Sequence, residues 1–318
     1  MKYSDYFKDL SAGSKKQTEI VINGYTDTLP ATLIRGRENG KSILITTGMH
    51  SGEYPGIPAT LTAAERIDPE KVSGRIMMIH CLNPSGFRER TDNYVPEDGK
   101  NMNRIFPSDN TGTPADRIVS FVSKELLPET DFVLDLHSGG QSERLTDHLY
   151  FPAEGQAAEE SLKTASFLNF PYLTASYSRG GEVGYAGNIL GIPGLLLERG
   201  HSGYCLPEWT EKMTEDILTV LTALGVLPGT LRQNQSHTVF RKAVYAESDT
   251  EGLWYPYIQE NENVRRGQIL GEVRNFRNEI LQTVSAEGDG IVLYFTPGLS
   301  VRPGWPLVAY GLSEKLTE

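Results

Sequence analysis

Lys41–Thr60 reads KSILITTGMHSGEYPGIPAT. Its first part, Ile43–Thr47, is a short apolar, β-branched run bounded by Gly48, the pattern of a buried strand. Two glycines and a proline fall in the next eight residues, so no regular helix follows directly. His50 and Glu53 therefore sit on a shaped loop at the carboxyl end of a strand. An imidazole and a carboxylate three residues apart on such a loop can converge on one divalent ion. H-x-x-E alone is equally the pattern of two ordinary surface groups, and the rest of the chain has to decide.

Upstream, two short strands are expected around Thr18–Ile22 and Thr28–Ile34, with Asn23-Gly24 as a hairpin signal between them. Downstream, Pro58 opens an alanine- and leucine-rich helix over Ala59–Ile67. Arg75–Leu82 reads as a strand that ends at Asn83-Pro84, and Ser85–Pro107 as a long loop of the kind that carries function. A helix over Arg117–Leu127 leads to a strand over Phe132–Leu136, ending at His137. A helix over Ala157–Leu168 precedes a strand over Ile192–Leu197, which ends at Glu198-Arg199-Gly200. Glu208–Leu224 is a long amphipathic helix stopped by Gly225. Strands alternating with helices predict an α/β fold: a mixed, largely parallel sheet with helices on both faces. Ligands of such sheets bind at the carboxyl ends of the strands. His50, Glu53, Asn83, His137 and Glu198 all fall just past the end of an apolar strand, so separate strands deliver metal-competent groups to one edge.

The chain has 318 residues, enough for one large domain and a smaller one, with 38% hydrophobic and 22% charged residues. A formal net charge of −11 argues against nucleic acid or an anionic membrane as partner. The N-terminal stretch has no apolar core of a signal peptide, and no run approaches the ~18 apolar residues of a membrane span, so a cytoplasmic location is expected. Cys81 and Cys205 read as free thiols of a reducing compartment. No G-x-S-x-G, phosphate loop or dinucleotide fingerprint is present. His80, inside an apolar run, reads as a core histidine; His148 and His237 show no ligand context, and His201 lines either a pocket or a loop.

His50, Glu53 and His137 make a two-histidine, one-carboxylate set that leaves an open position for water, as one catalytic zinc ion per chain requires. A separate carboxylate must take the water's proton and pass it to a leaving nitrogen, and Glu198 is the best-placed candidate. Asp135, two residues before His137, either orients that ligand or holds a loop. Asn103-Arg104, in KNMNRIFP (residues 100–107), suit a carboxylate on a small-molecule substrate.

Leu227–Ser236 reads as a linker, dividing an α/β hydrolase domain over 1–230 from a β module over 236–318. Asn263–Val273 and Ser300–Tyr310 share V-R-x-G-x-x-L at an offset of 37 residues, like the two-fold sandwich of biotinyl and lipoyl carriers. Those carriers attach their cofactor to a hairpin lysine, and no lysine occurs between Lys242 and Lys315. The module is therefore expected to be structural or to wall the site.

The ordered set of H-x-x-E, N-P, D-G-x-N-x-N-R-x-F-P, a strand-ending histidine about 80 residues after Glu53 and a late L-E strand end resembles the succinylglutamate desuccinylase/aspartoacylase family, in the zinc carboxypeptidase-like superfamily. The likeness runs over roughly residues 40–310. It implies zinc on His50, Glu53 and His137, Glu198 as general base and acid, and Asn103 and Arg104 on a substrate carboxylate. The reaction it implies is hydrolysis of the amide of an N-acyl amino acid or a related small amide. One departure stands out. The family places an arginine before an aromatic residue in the long loop, to polarise the scissile carbonyl, whereas Asn93 precedes Tyr94 here. Arg88 and Arg90 are the nearest substitutes, and Arg90 is the candidate. Rival readings are a metallocarboxypeptidase acting on peptides and a binding protein with an inert site. The acyl group and any homo-oligomer are left open by the sequence.

Overall fold

The computed structural model describes residues 1–109, 112–234, 236–298 and 300–313. Gln235 of the expected linker, and Leu299 and residues 314–318 of the expected β module, lie outside the described residues.

β1 (Ser14–Val21) and β2 (Thr28–Arg35) form the expected hairpin across Asn23-Gly24. β3 (Glu38–Thr47) begins as an exposed ribbon and becomes fully buried from Ser42 to Thr47. α1 (Gly56–Arg66) carries the chain to β4 (Ser73–Ile79), which lies parallel to β3. The long loop contains structure that the glycines and prolines concealed. α2 (Pro84–Glu89) is one short helix capped by the Asn83 side chain, and a 3-10 turn spans Met102–Arg104. α3 (Pro114–Phe121) runs on through a π turn, Val122–Leu126, into β5 (Phe132–His137).

Beyond β5 come β6 (Arg144–Leu145), β7 (His148–Pro152), α4 (Gly155–Ala165), β8 (Tyr172–Ser176), α5 (Glu182–Asn188), β9 (Gly194–Glu198), α6 (Pro207–Ala223) and β10 (Thr238–Phe240). β6, β7, β8, β10 and α5 are short, and their sequences lack the long periodicity that marks the other elements. Nine strands form one sheet in the order β1-β2-β4-β3-β5-β9-β7-β8-β10. Pairing is parallel at β4-β3-β5-β9 and β7-β8-β10, and antiparallel at β1-β2, β2-β4 and β9-β7. Two apolar layers cover it. One gathers Tyr3, Phe7, Leu44, Met77, Val119 and Phe121; the other gathers Ile45, Ala59, Ala63, Leu134, Met213 and Ile217.

The connections decide where a ligand can bind. From β3 the chain crosses to β4 on one side, while β5 and β9 lie on the other. The strand order therefore reverses between β3 and β5, and their carboxyl ends are the place where sheets of this kind bind ligands. Gly48 takes the chain out of β3 at φ +65°, and a side chain there would lie 3.1 Å from Cys81 Cα. Glycine is the residue that tolerates this turn.

The remaining described chain is all β: β11 (Ala243–Glu247), β12 (Gly252–Pro256), β13 (Asn263–Val264), β14 (Ile269–Arg274), β15 (Ile280–Ser285), β16 (Gly290–Phe295), β17 (Ser300–Val301) and β18 (Pro306–Leu312). One sheet runs β11-β18-β16-β13 and the other β15-β14-β12-β17, around Trp254, Leu270, Val292 and Tyr310. The V-R-x-G-x-x-L repeat has a structural counterpart. Val264 and Val301 are buried on edge strands of opposite sheets, Gly267 and Gly304 turn at φ +82° and +79°, and Leu270 and Leu307 fill the core. Two strands cross the expected boundary. Thr238–Phe240 adds to the edge of the large sheet, and Arg144–Leu145 pairs with β16. No described helix is long and apolar enough to cross a membrane.

Candidate metal centre and active site

His50 and Glu53 leave β3 on one tight turn, closed by a hydrogen bond from the Glu53 N–H to the His50 carbonyl at 3.2 Å. His137 ends β5, the neighbouring parallel strand. The turn and the strand end bring the three together: one ligand atom from each lies within 4.8 Å of the others. His50 Nδ1 lies 2.7 Å from Glu53 Oε1, and His137 Nδ1 lies 2.8 Å from Glu53 Oε2. The Ser138 N–H donates to the same carboxylate at 3.1 Å.

The far side of each ring is occupied. His137 Nε2 donates to Asp135 Oδ2 at 2.8 Å, and His50 Nε2 donates to Asn101 Oδ1 at 3.0 Å. Both partners are acceptors there, since Asn101 Oδ1 also receives the Asn103 N–H at 2.9 Å. With their Nε2 protons directed outward, both imidazoles turn Nδ1 toward a carboxylate. Each ring nitrogen needs a positive charge between itself and the carboxylate, supplied by its own proton or by a divalent cation that takes the proton's place. The field points the same way. Burial alone would raise the Glu53 carboxyl, but His50 and His137 outweigh it and hold it down at about 2. Burial also opposes a charge on His137, yet Asp135 and Glu53 overcome it and push the imidazole well above its ordinary value. The residues fit a metal ion. Asp135 orients a candidate ligand rather than a loop. Asn101 was missed from sequence, although it is the first asparagine of N-x-N-R.

Glu198 ends β9 and is paired in register with His137 on β5. Its half-buried carboxyl makes no ion pair among the described residues; burial first, and the Glu53 charge next, push it well above the usual range. Strand alternation sends the next side chain the other way. Arg199 Nε and Nη2 reach the Asp216 carboxylate on α6 at 2.9 and 3.3 Å, its guanidinium also pairs with Asp147, and it lies 4.0 Å over the Phe170 ring. That clamp fixes the strand end from which Glu198 projects.

Around this centre lie groups that the sequence did not single out. Asp92 ties the two loops together: its Oδ1 accepts the Gln141 N–H at 3.0 Å and its carbonyl accepts the Gly52 N–H at 2.9 Å. A side chain at Gly140 would come within 2.2 Å of that Oδ1. Glu143, on the loop after His137, is pushed up to about 8 by burial and by the charges of Glu53 and Asp92. Tyr294 on β16 feels the charges of Glu143, Arg104 and Glu198, and Tyr245 on β11 those of Arg104 and Glu198. The C-terminal sheets contact the large domain through β16, which pairs with β6 and stacks Tyr294 on His148.

The other expected residues stand as follows. Asn103 is buried, and its Oδ1 accepts the Glu182 N–H at 3.1 Å. Arg104 is exposed, with Nη1 3.3 Å from the Asn103 carbonyl. Arg88 pairs with Asp27. Arg90 is exposed, makes no ion pair among the described residues and caps α2 at φ 56°. His80 is held between the Thr32 and Thr60 hydroxyls at 2.8 and 2.9 Å, a core histidine as its run implied. His201 contacts Ser202 Oγ at 2.9 Å and packs on Trp209.

Comparison with known proteins converges on one family. The model of the succinylglutamate desuccinylase/aspartoacylase catalytic domain matches residues 39–224, more than half of the chain. An N-alpha-acetyl-L-2,4-diaminobutyric acid deacetylase from Halomonas elongata is 28% identical over 277 residues, covering 83% of this chain and 80% of that protein. A succinylglutamate desuccinylase/aspartoacylase structure from Rhodobacter sphaeroides is 25% identical at a TM-score of 0.81, covering 96% of this chain and 98% of that one. The product-bound ectoine utilization protein EutE (DoeB) from Ruegeria pomeroyi has the same fold, at 22% identity and a TM-score of 0.81 over 96% and 97% of the two chains. A strand-end His-Glu-His cluster able to hold a metal, on a sheet of this order, and a family match that spans it, have one reading: this chain belongs to the succinylglutamate desuccinylase/aspartoacylase family.

Proposed function

We propose that the protein is a zinc-dependent deacylase that hydrolyses the amide of a small N-acyl amino acid. The observation that carries this reading is the pairing of Glu198 with His137, one strand over from the His50–Glu53–His137 cluster. His50, Glu53 and His137 would hold the ion. When bound there, zinc lowers the pKa of a water toward ~7 and polarises a carbonyl oxygen. Glu198 takes the proton of the attacking water and returns it to the leaving nitrogen. Arg104, with the Asn103 amide nitrogen, holds the substrate carboxylate; Asn103 Oδ1 is already engaged by α5. Of the two loop arginines, Arg88 is tied to Asp27, so Arg90 is the one assigned to the scissile carbonyl. The segment it heads, Thr91–Asp92, runs along the metal loop through Ser51 and Gly52.

We further propose that the preferred amino acid carries a second, positively charged amine. The relative from Halomonas elongata is a deacetylase of such a compound. The Glu143 pKa is held up by burial and by the charges of Glu53 and Asp92, with no cationic side chain paired to it among the described residues, so an ammonium group would draw it into its ionised form and pair with it. Residues 1–230 form the hydrolase unit in this reading. The β module assigned to 236–318 walls the site through Tyr245 and Tyr294, with its first strand, Thr238–Phe240, lent to the large sheet. A wall of this kind limits the pocket to short substrates.

The test is metal analysis of the purified protein, followed by hydrolysis assays on N-acetyl and N-succinyl amino acids, neutral, acidic and basic. Near one zinc per chain and release of an amino acid from N-acetylated diamino acids are expected. A zinc-loaded protein that leaves the whole panel intact but trims C-terminal residues from peptides would overturn the reading.

A further inference from the structure

Behind the metal cluster, Glu182 is completely buried at the start of α5. Its Oε2 lies 3.0 Å from Thr46 Oγ1, and its Oε1 has no hydrogen-bond partner among the described residues. The same Thr46 oxygen lies 3.2 Å from Asp135 Oδ1. Asp135 in turn receives the His137 Nε2 proton. One hydroxyl thus stands between two carboxyl groups, and both of them and the threonine are 0% exposed.

Counting protons assigns the roles. A hydroxyl has one proton to donate and lone pairs with which to accept. If both carboxyls were ionised, Thr46 could donate to only one: serving Asp135 would leave Glu182 a buried charge with no side-chain donor, and serving Glu182 would turn an oxygen lone pair on the Asp135 carboxylate, and both arrangements are costly. If one carboxyl holds a proton, every contact is satisfied in a single direction. Asp135 has a second donor in His137 Nε2 and the Glu182 carboxyl has none, so the negative charge settles on Asp135 and the proton on Glu182. The chain then runs from the Glu182 O–H to Thr46, from the Thr46 O–H to Asp135, and from His137 Nε2–H to Asp135. The far end of this chain is His137 Nδ1, turned toward Glu53.

We propose that Glu182 is a positioning residue that works as a neutral hydrogen-bond donor: through Thr46 and Asp135 it fixes the His137 tautomer that presents Nδ1 to a metal. The inference rests on the metal-site reading above. It also connects the two parts of the site, because the Glu182 N–H holds Asn103 Oδ1. The rival assignment is an ionised Glu182, favoured by its place in the first turn of α5 and acting as a distant negative charge on the metal.

Zinc affinity of the full chain, measured by competition with a chromophoric chelator, separates the two. Glu182→Gln keeps a donor, since its amide N–H replaces the acid O–H, and is expected to bind zinc within about threefold of wild type. Glu182→Met and Thr46→Val break the relay and should each weaken zinc binding by about 10–100-fold, the range for partners of metal-ligating histidines. The Glu182→Met/Thr46→Val double variant should be no weaker than either single one. Thermal melts of the metal-free proteins identify a variant that fails to fold; if Glu182→Met does, Glu182→Gln and Thr46→Val decide. A loss of more than tenfold in Glu182→Gln would show that the charge matters and overturn the proposal, as would unchanged affinity in Thr46→Val. A wild-type chain that binds no zinc would instead remove the metal-site reading itself.

Discussion

At the scale of single residues the proposed mechanism gives the carboxyl groups different tasks, and substitution separates them. Glu198 belongs to none of the contacts that tie the His50–Glu53–His137 cluster together. Glu198→Gln should therefore retain metal while losing about 10²–10⁴-fold in turnover, the usual contribution of general acid–base catalysis. Metal content and kcat measured on the same preparation check this, and near-normal kcat would remove Glu198 from the role of base. Glu143 is assigned to recognition. Glu143→Gln should lower kcat/KM for N-acetylated diamino acids at least tenfold more than for neutral N-acetyl amino acids, since a hydrogen bond to a charged group contributes about 1.5–3 kcal/mol. Equal losses on both substrate classes would show that Glu143 does not read the amine. The metal-competent residues were legible in the sequence because each ends an apolar strand. Asn101, Asp92, Glu143 and Glu182 were not, because their neighbours come from distant parts of the chain brought together only on folding. Glu182 opens a seven-residue helix that leaves little periodicity to read.

At the scale of elements, the fold holds the site by fastening strand ends to helices. The elements legible in the sequence are those with long apolar patterning: β3, β5, β9 and α6 all lie within a few residues of where the pattern puts them. What the pattern could not convey is the pairing of Arg199 with Asp216, which fastens the end of β9 to α6. The Arg199 side chain is 4% exposed and that of Asp216 8%, so removing one partner leaves the other charge buried. Arg199→Met should cost about 3–5 kcal/mol of stability, in the range for broken buried pairs. The Arg199→Met/Asp216→Leu double variant should recover part of that loss, because no unpaired carboxylate remains at Asp216. Urea unfolding of the two variants beside wild type measures both effects. A double variant less stable than Arg199→Met would mean that the clamp contributes through something other than charge pairing. Loss of the clamp should also lower activity at temperatures where the protein is still folded, since Glu198 is the residue before Arg199.

For the whole molecule, the arrangement of buried histidines sets a limit on stability in acid. His80 sits between two threonine hydroxyls, and His148, 0% exposed, is stacked with Tyr294 and hydrogen-bonded to the Thr146 carbonyl. Burial lowers both imidazoles to about 4, from 6.5 in an exposed state. Both are therefore neutral in the folded chain at pH 5–6, where the unfolded chain protonates them. Their contribution to stability is fully present above pH 6.5 and is lost as pH falls toward 4, because unfolding takes up protons over that window. Each histidine contributes up to about 3 kcal/mol at the top of the window, since each tenfold loss of proton affinity on folding corresponds to ~1.4 kcal/mol. His148 also ties the two units together, since its ring lies between Tyr150 of the large sheet and Tyr294 of the C-terminal sheets. Acid should thus loosen the wall of the site as well as the core. The expected result is a urea midpoint that falls steeply from pH 6.5 to 4 in wild type and less steeply in His80→Gln, with His148→Gln shallower still at the junction. Carboxylates that titrate over the same range act equally on all three proteins, so the difference in slope isolates each histidine. A His80→Gln slope equal to that of wild type would mean that His80 takes up no proton on unfolding, and the acid limit would then have to come from the carboxylates around the metal loop.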